Sequence, residues 1–301
     1  MDSAGARWAF PGAACCVLIL TVVGSLYFQF SVFQQDWFQG STLKPPGREA
    51  PKQPVGPPSR VILAVHPKTG STTLGRAIYF HALAQGRQQT VSRVHYPYDR
   101  RWDKECNYVM QSLHNCTVAN WCLIISTVRR SGANAVSQFF EFCRWVYNNN
   151  STSAQKFLFA MNEEELKDAV INFTRRFYLP FSDCWWWKTY LAFRELGGFN
   201  FEIDDLMRKR ISTVPNAVWI VLPPFEEGVQ AREAALEPWF PGINLSENIM
   251  NTSNGSMHPW PVQYSKMMSY FRNESRWPTD LAEGLRHQDM MVLFYPDGRL
   301  F

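Results

Sequence analysis

Two short stretches of the chain combine residue types that hold anions. The first is His66-Pro67-Lys68-Thr69-Gly70-Ser71-Thr72-Thr73. Gly70 permits a tight turn, and Ser71, Thr72 and Thr73 open a segment that reads as a helix over 71–84. The first N–H groups of a helix have no partner within it. Together with the hydroxyls and the Lys68 ammonium they make an anion site. The second stretch starts at Arg129-Arg130-Ser131, with Ser137 eight residues beyond Arg129. Each stretch directly follows an apolar run, at 61–65 and 121–128. The loop is not that of nucleoside-triphosphate enzymes, in which the lysine follows the second glycine. Here Lys68 comes two residues before Gly70.

Groups able to move a proton are few, since the chain has six histidines. His95 closes an apolar run over 91–95, and an imidazole titrating near neutrality can take a hydroxyl proton. His66 is a rival, although its place before the loop proline reads more simply as a strand end. Glu226 and Glu227 follow a later apolar run and read first as surface acids. Trp185, Trp186 and Trp187 cannot share one helix face, because each residue turns about 100°. At least one of them belongs to the core. Asp204 and Asp205 form the only close acidic pair resembling a metal-binding Asp-x-Asp, and they fall on a helical segment. No zinc-like Cys/His spacing occurs, so no metal is expected.

These residues need elements to carry them. Buried strands are predicted at 61–65, 91–95, 121–128 and 218–222, the last ended by Pro223-Pro224. Helices are predicted at 71–84, 133–147, 161–177, 185–196 and 278–287. The 161–177 helix opens with Asn162 and three glutamates, which suit its N-terminus, and its charge run reads as a solvated face. Strands alternating with helices give an α/β fold, a parallel sheet flanked by helices with a P-loop-like phosphate-binding loop. Ligands of such sheets sit beyond the carboxyl ends of the strands, where both motifs fall.

The order Pro-Lys-Thr-Gly-Ser-Thr resembles the 5′-phosphosulfate loop of sulfotransferases that use 3′-phosphoadenosine 5′-phosphosulfate (PAPS). Arg129 and Ser137 match that superfamily's second signature, an arginine and a serine eight residues on that grip the donor's 3′-phosphate. The resemblance implies donor contacts from Lys68, Thr69, Gly70, Ser71, Thr72, Thr73, Arg129 and Ser137. It implies catalytic roles for Lys68, at the phosphosulfate, and for His95, at the family's usual base position. One departure stands out: Arg130-Ser131 replaces the usual Asp-Pro. Over 61–301 the chain is also similar to the capsular polysaccharide synthesis (sulfotransferase-like) family. Trp185-Trp186-Trp187, Glu226-Glu227 and the Asn254, Trp260, Tyr264-Ser265 and Phe294-Tyr295 positions carry that looser likeness.

The first sixty residues have a different character. Residues 9–33 are apolar and free of charge, long enough to cross a bilayer, with Arg7 before them and Asp36 after. The positive-inside rule puts residues 1–8 in the cytoplasm and the remainder across the membrane. A cleaved signal peptide is the alternative. Residues 34–59 are proline-rich and read as an extended stalk, leaving 60–301 as the folded domain. Asn-x-Ser/Thr occurs eight times, at Asn115, Asn149, Asn150, Asn172, Asn244, Asn251, Asn254 and Asn273. Chance would give about two. Of seven cysteines, Cys15 and Cys16 lie in the apolar stretch. Four among Cys106, Cys116, Cys122, Cys143 and Cys184 could form two disulfides in an oxidising lumen, with the pairs left open.

The net charge of +4 is too small for a nucleic-acid binder but suits a few placed cations around an anion. At 15% aromatic residues the chain is not disordered. The expectation is a Golgi-type, single-pass type II membrane carbohydrate sulfotransferase that moves sulfate from PAPS to a glycan hydroxyl. The alternative is a catalytically inactive relative that binds glycan or a partner protein. A lumenal kinase lacks the required loop spacing and an evident magnesium pair.

Overall fold

The computed structural model describes residues 56–87, 90–95, 113, 115–147, 161–182, 184–246 and 261–301. The chain divides into two units, Met1–Ala50 and Pro51–Phe301, and everything described belongs to the second. The predicted span at 9–33 and most of the stalk lie outside the described residues. Among the described residues no helix is long and apolar enough to cross a membrane.

The elements run β1 (Arg60–Ala64), α1 (Ser71–Ala84), β2 (Thr90–Val94), β3 (Cys122–Ser126) and α2 (Ser131–Tyr147). Next comes α3 (Glu163–Phe173), which continues through a π-helical stretch, Thr174–Tyr178, and a last α turn, Leu179–Ser182. Then follow α4 (Trp185–Gly197), α5 (Ile203–Arg208), β4 (Ile211–Val214), β5 (Ala217–Val221) and α6 (Val229–Leu236). The end of the chain holds α7 (Pro261–Arg272), α8 (Thr279–Arg286) and α9 (Asp289–Phe294).

The five strands form one sheet in the order β2-β1-β3-β5-β4. The first four are mutually parallel, and β4 pairs antiparallel with β5. The predicted α/β sheet is therefore present, with one correction. The edge strand β4, a four-residue Ile-Ser-Thr-Val, is too short and too polar to stand out in sequence. It forms because residues Pro215 and Asn216 turn the chain straight back onto β5.

Strand order dictates where helices go. From β1 the chain steps to β2 on one side, and from β3 it steps to β5 on the other. Right-handed crossovers in opposite directions put their helices on opposite faces. Accordingly Val61, Leu63 and Val65 pack with Leu74, Ala77 and Ile78 of α1 and Leu236 of α6. Ile62, Ala64 and Ile124 pack with Val136 and Phe139 of α2 on the other side. The alternation of faces along β1 is the period of two that a strand imposes. Between the carboxyl ends of β1 and β3 the connections diverge, the switch point at which sheets of this kind form their ligand crevice.

The second face carries the larger aromatic core. Trp219 on β5 lies among Trp186, Tyr190, Phe193 and Phe201, and its Nε1 donates to Ser126 Oγ at 2.9 Å. Trp185 and Trp186 are fully buried and Trp187 is half-buried, so the tryptophan run is mainly packing. Its helix enters from Cys184 in the left-handed region and stops at Gly198. In α3 the Asn162 cap and Glu165 form a reciprocal capping box. Its charge run is not wholly solvated: Lys167 is buried, pairs with Glu163 and Glu164, and lies over the Tyr270 ring.

One of the two expected disulfides is present among the described residues, Cys116–Cys122. Cys143 is a buried thiol, its pKa pushed up to about 12 by burial. Cys106 lies outside the described residues. The sequon residues Asn115, Asn172, Asn244 and Asn273 are all exposed, and the other four lie outside the described residues.

Trp219 joins the sheet to the aromatic core through both area and a hydrogen bond. Replacing it with alanine should lower stability by about 3–5 kcal/mol. Urea unfolding followed by circular dichroism measures this, and a loss below about 1 kcal/mol would contradict the assigned core.

Candidate functional site

The loop after β1 rises from a buried polar platform. Val65 continues β1 by donating to Val94 O, and His66 beside it has no exposed surface. Its Nδ1 lies 3.0 Å from Asn134 Nδ2 and 3.1 Å from Gln138 Nε2, both on α2. Amide nitrogens only donate, so Nδ1 accepts and the proton sits on Nε2. Nε2 is buried without a partner, and the ring stands edge-on to Tyr178 and Trp185. Burial drives the His66 pKa down to about 3, with the charge of nearby His95 adding to the effect against a backbone hydrogen bond at Pro67. This histidine is a structural neutral base. It fixes the loop to α2 and is not a proton shuttle for solvent-side chemistry.

Lys68 is left-handed at φ 64°, and Gly70 at φ 84° caps α1. A non-glycine residue held at positive φ stores strain of the kind that functional loops carry. No side chain caps the start of α1, and the first backbone bond there runs from Leu74 N to Gly70 O. The α1 start therefore presents the donors the sequence predicted. Not every hydroxyl takes part. Thr69 is buried, donates to His66 O at 2.6 Å and accepts from Thr127 Oγ1 at 2.5 Å. Its side chain thus locks the loop to the end of β3. Ser71 is nearly buried, and Thr72 is exposed and accepts from Arg93 at 3.1 Å.

The second signature closes on the first. Arg129 Nη1 donates to Lys68 O at 3.0 Å and to Ser137 Oγ at 2.9 Å. Ser137 lies two helical turns into α2, so the eight-residue spacing sets its hydroxyl facing back toward Arg129. Tyr264 of α7 meets Ser137 Oγ through its hydroxyl at 2.9 Å. Burial raises the Tyr264 pKa, but Arg129, the Ser137 hydroxyl and Lys68 outweigh it and hold the phenol below its ordinary value. Lys68 Nζ pairs with Glu141, one turn beyond Ser137, at 3.1 Å. His95 lies across the loop. Its Nδ1 is 2.9 Å from Val65 O, and a carbonyl only accepts, so Nδ1 carries the proton. In its neutral form the ring has Nε2 as its acceptor. Trp185 Nε1 donates to His95 O at 2.7 Å and fixes this end of β2.

Comparison with models of known families, with characterised proteins and with solved structures finds no match. What the site can do rests on its own geometry. Lys68, Arg93, Arg129 and Arg232 surround the start of α1, and among them only Lys68 has a carboxylate within ion-pair distance among the described residues. Such a concentration of donors and charge can hold an anion with more than one anionic group. Among the described residues no cluster of His, Cys, Asp or Glu could hold a metal ion.

Arg130, the departure from the family pattern, points elsewhere. It makes two 2.7 Å hydrogen bonds to Asp297, donates to Arg299 O at 2.6 Å and lies over the Tyr295 ring. The hydrogen bond from Arg130, with its charge, holds the Asp297 carboxyl down at about 2. Glu226 accepts from Arg130 N and from Tyr295 Oη, so it is a structural tie. Glu227 is exposed and lies 3.7 Å from Arg210. Asp205 pairs with Lys209 one turn on in α5. Sequence reasoning missed Arg93, Phe225 and Arg232, and saw Tyr264 only through resemblance. Glu141 alone carried a signal, lying one turn from Ser137 on the same helix face.

The His66 shift gives a pH dependence. The unfolded ring binds a proton near the ordinary value of 6.5, and the folded ring only near 3. Stability is therefore complete above 6.5 and is lost as pH falls toward 3, by up to about 1.4 kcal/mol per pH unit from this group. His66→Asn keeps an acceptor but cannot titrate, and its stability should fall less steeply than wild type between pH 6.5 and 4.5. Equal slopes in urea unfolding would contradict the assignment.

Proposed function

We propose that the chain is a PAPS-dependent sulfotransferase that transfers sulfate to a carbohydrate hydroxyl. The observation that carries the reading is the Arg129 bridge. One guanidinium links the lysine loop after β1, through Lys68 O, to the serine of the second signature, through Ser137 Oγ. Two stretches sixty residues apart, matching the two donor signatures of that superfamily, thus meet at one crevice between β1 and β3.

The residues present fit the donor. The α1 start and Lys68 would hold the 5′-phosphosulfate, and Arg129 with Ser137 the 3′-phosphate. Lys68 would leave Glu141 for the phosphosulfate and stabilise charge on the departing phosphate oxygens. The acceptor hydroxyl oxygen would attack sulfur as the sulfur–oxygen bond to phosphate breaks. Its proton would pass to Nε2 of His95, whose tautomer Val65 O sets. The Asp-Pro departure is compensated by the C-terminal residues, since Asp297 and the Arg299 carbonyl take Arg130 away from the crevice. The apolar stretch over 9–33, the proline-rich 34–59 and the excess of sequons support a Golgi lumenal setting, with a glycan as acceptor. The alternative, an inactive binder, draws on the Lys68–Glu141 pair, which occupies the catalytic ammonium.

Sulfate transfer from PAPS to a panel of glycans, with the chain secreted from a glycosylating host, tests the reading. Lys68→Ala and His95→Ala should each lower turnover at least about 100-fold. The thermal midpoint of Lys68→Ala should stay close to wild type, as its pair is largely exposed. Wild-type turnover in Lys68→Ala would contradict the mechanism. PAPS-product binding without transfer by wild type would favour the inactive binder.

A further inference from the structure

Arg232 comes from α6, on the face of the sheet that carries α1. It is 4% exposed. Its guanidinium lies 5.0 Å from the centre of the Phe225 ring, and the Arg129 guanidinium lies 5.1 Å from the same ring. One aromatic side chain therefore holds two cations. Phe225 is itself fixed beside Arg129 by the hydrogen bond from its N–H to Val128 O at 3.1 Å.

Neither arginine has a carboxylate within ion-pair distance among the described residues. Two acids whose charge acts on Arg232 are engaged elsewhere: Glu233 accepts from Leu245 N at 2.6 Å, and Glu226 from Arg130 N and Tyr295 Oη. An unneutralised buried guanidinium is costly. Burial indeed lowers the Arg232 pKa, which those two acids only partly offset. The charge also faces a definite place. A Cβ on Gly70 would lie 3.4 Å from Arg232 Nη2 and 3.3 Å from Phe225, so the missing side chain lets the guanidinium and the ring pack directly against the turn at the start of α1. Arg129, by contrast, is directed to Ser137 on α2.

We propose that Arg232 is an anion-binding residue that takes the phosphate lying against the Gly70 turn, while Arg129 and Ser137 take a second phosphate of the same ligand. The planar fork of donors suits that task, since phosphate accepts two parallel hydrogen bonds. The identity of the ligand as an adenosine 3′,5′-bisphosphate rests on the sulfotransferase reading above. The assignment of Arg129 and Ser137 to the 3′-phosphate rests on it too, whereas the placing of Arg232 at the Gly70 turn rests on the geometry.

Calorimetric titrations of the full chain with adenosine 3′,5′-bisphosphate, 5′-AMP and 3′-AMP test it. Arg232→Gln should weaken the bisphosphate and 5′-AMP by about 10- to 100-fold and leave 3′-AMP unchanged. Arg129→Gln should show the reverse preference. Unchanged 5′-AMP binding in Arg232→Gln, or equal loss of all three ligands, would overturn the proposal. If Arg232→Gln does not fold, Arg232→Lys keeps the charge but loses the fork, and the same selective loss for 5′-AMP is expected; its absence overturns the proposal. If wild type binds none of the nucleotides, the sulfotransferase reading fails. Arg232 is then judged on inorganic sulfate. A sulfate-induced rise in thermal midpoint that Arg232→Gln or Arg232→Lys diminishes supports it, and no such dependence overturns it.

Discussion

Among the described residues, the carboxyl ends of β1 and β3 gather more positive charge than the carboxylates paired with it neutralise. Lys68, Arg93, Arg129 and Arg232 gather around the start of α1, whose dipole adds to their field. Glu141 pairs with Lys68. Holding like charges together in a partly dry site costs stability, and the rest of the structure is arranged to bear that cost. Phe225 separates and supports two guanidiniums. A backbone carbonyl and a hydroxyl, which bring no full charge, accept from Arg129 Nη1.

The fold makes this concentration possible. Parallel strands deliver their connections to one edge, and the change of direction between β1 and β3 parts those connections. The loop is then secured from below. Thr69 and Thr127 join the ends of β1 and β3 by a hydroxyl pair, and the neutral His66 ring joins the loop to α2 through two amides. The C-terminal residues finish the structure on the side of α2. Leu300 O accepts from Ala133 N, and Gly132 has no side chain because a Cβ would come within 2.8 Å of that same carbonyl oxygen. The start of α2 is thereby covered, whereas the start of α1 is left open to the crevice.

Much of this was legible because it is local. A buried strand followed by Lys-Thr-Gly-Ser-Thr-Thr predicts a strand, a turn and a helix start, and the short interval from Arg129 to Ser137 runs from a strand end into the first two turns of the next helix. The partners of those residues were not legible, because they come from far along the chain. Arg232 sits in the short, alanine-rich α6 and looks like one more surface charge. Tyr264 reaches Ser137 across 127 residues, and Asp297 reaches Arg130 across 167. No local pattern encodes such meetings. Helices α5, α6, α7 and α9 were likewise hard to read: three are one or two turns long, and their burial is set by neighbours more than by periodicity.

The claim on which everything else rests is that a phosphate-bearing ligand completes the charge of the crevice. Ligand-induced thermal stabilisation measures it without assuming turnover. At one hundred times its dissociation constant, adenosine 3′,5′-bisphosphate should stabilise the chain by about 2.7 kcal/mol, a rise of a few degrees in midpoint, and unphosphorylated adenosine should not. An unchanged midpoint across millimolar bisphosphate, or an equal rise with adenosine, would contradict it.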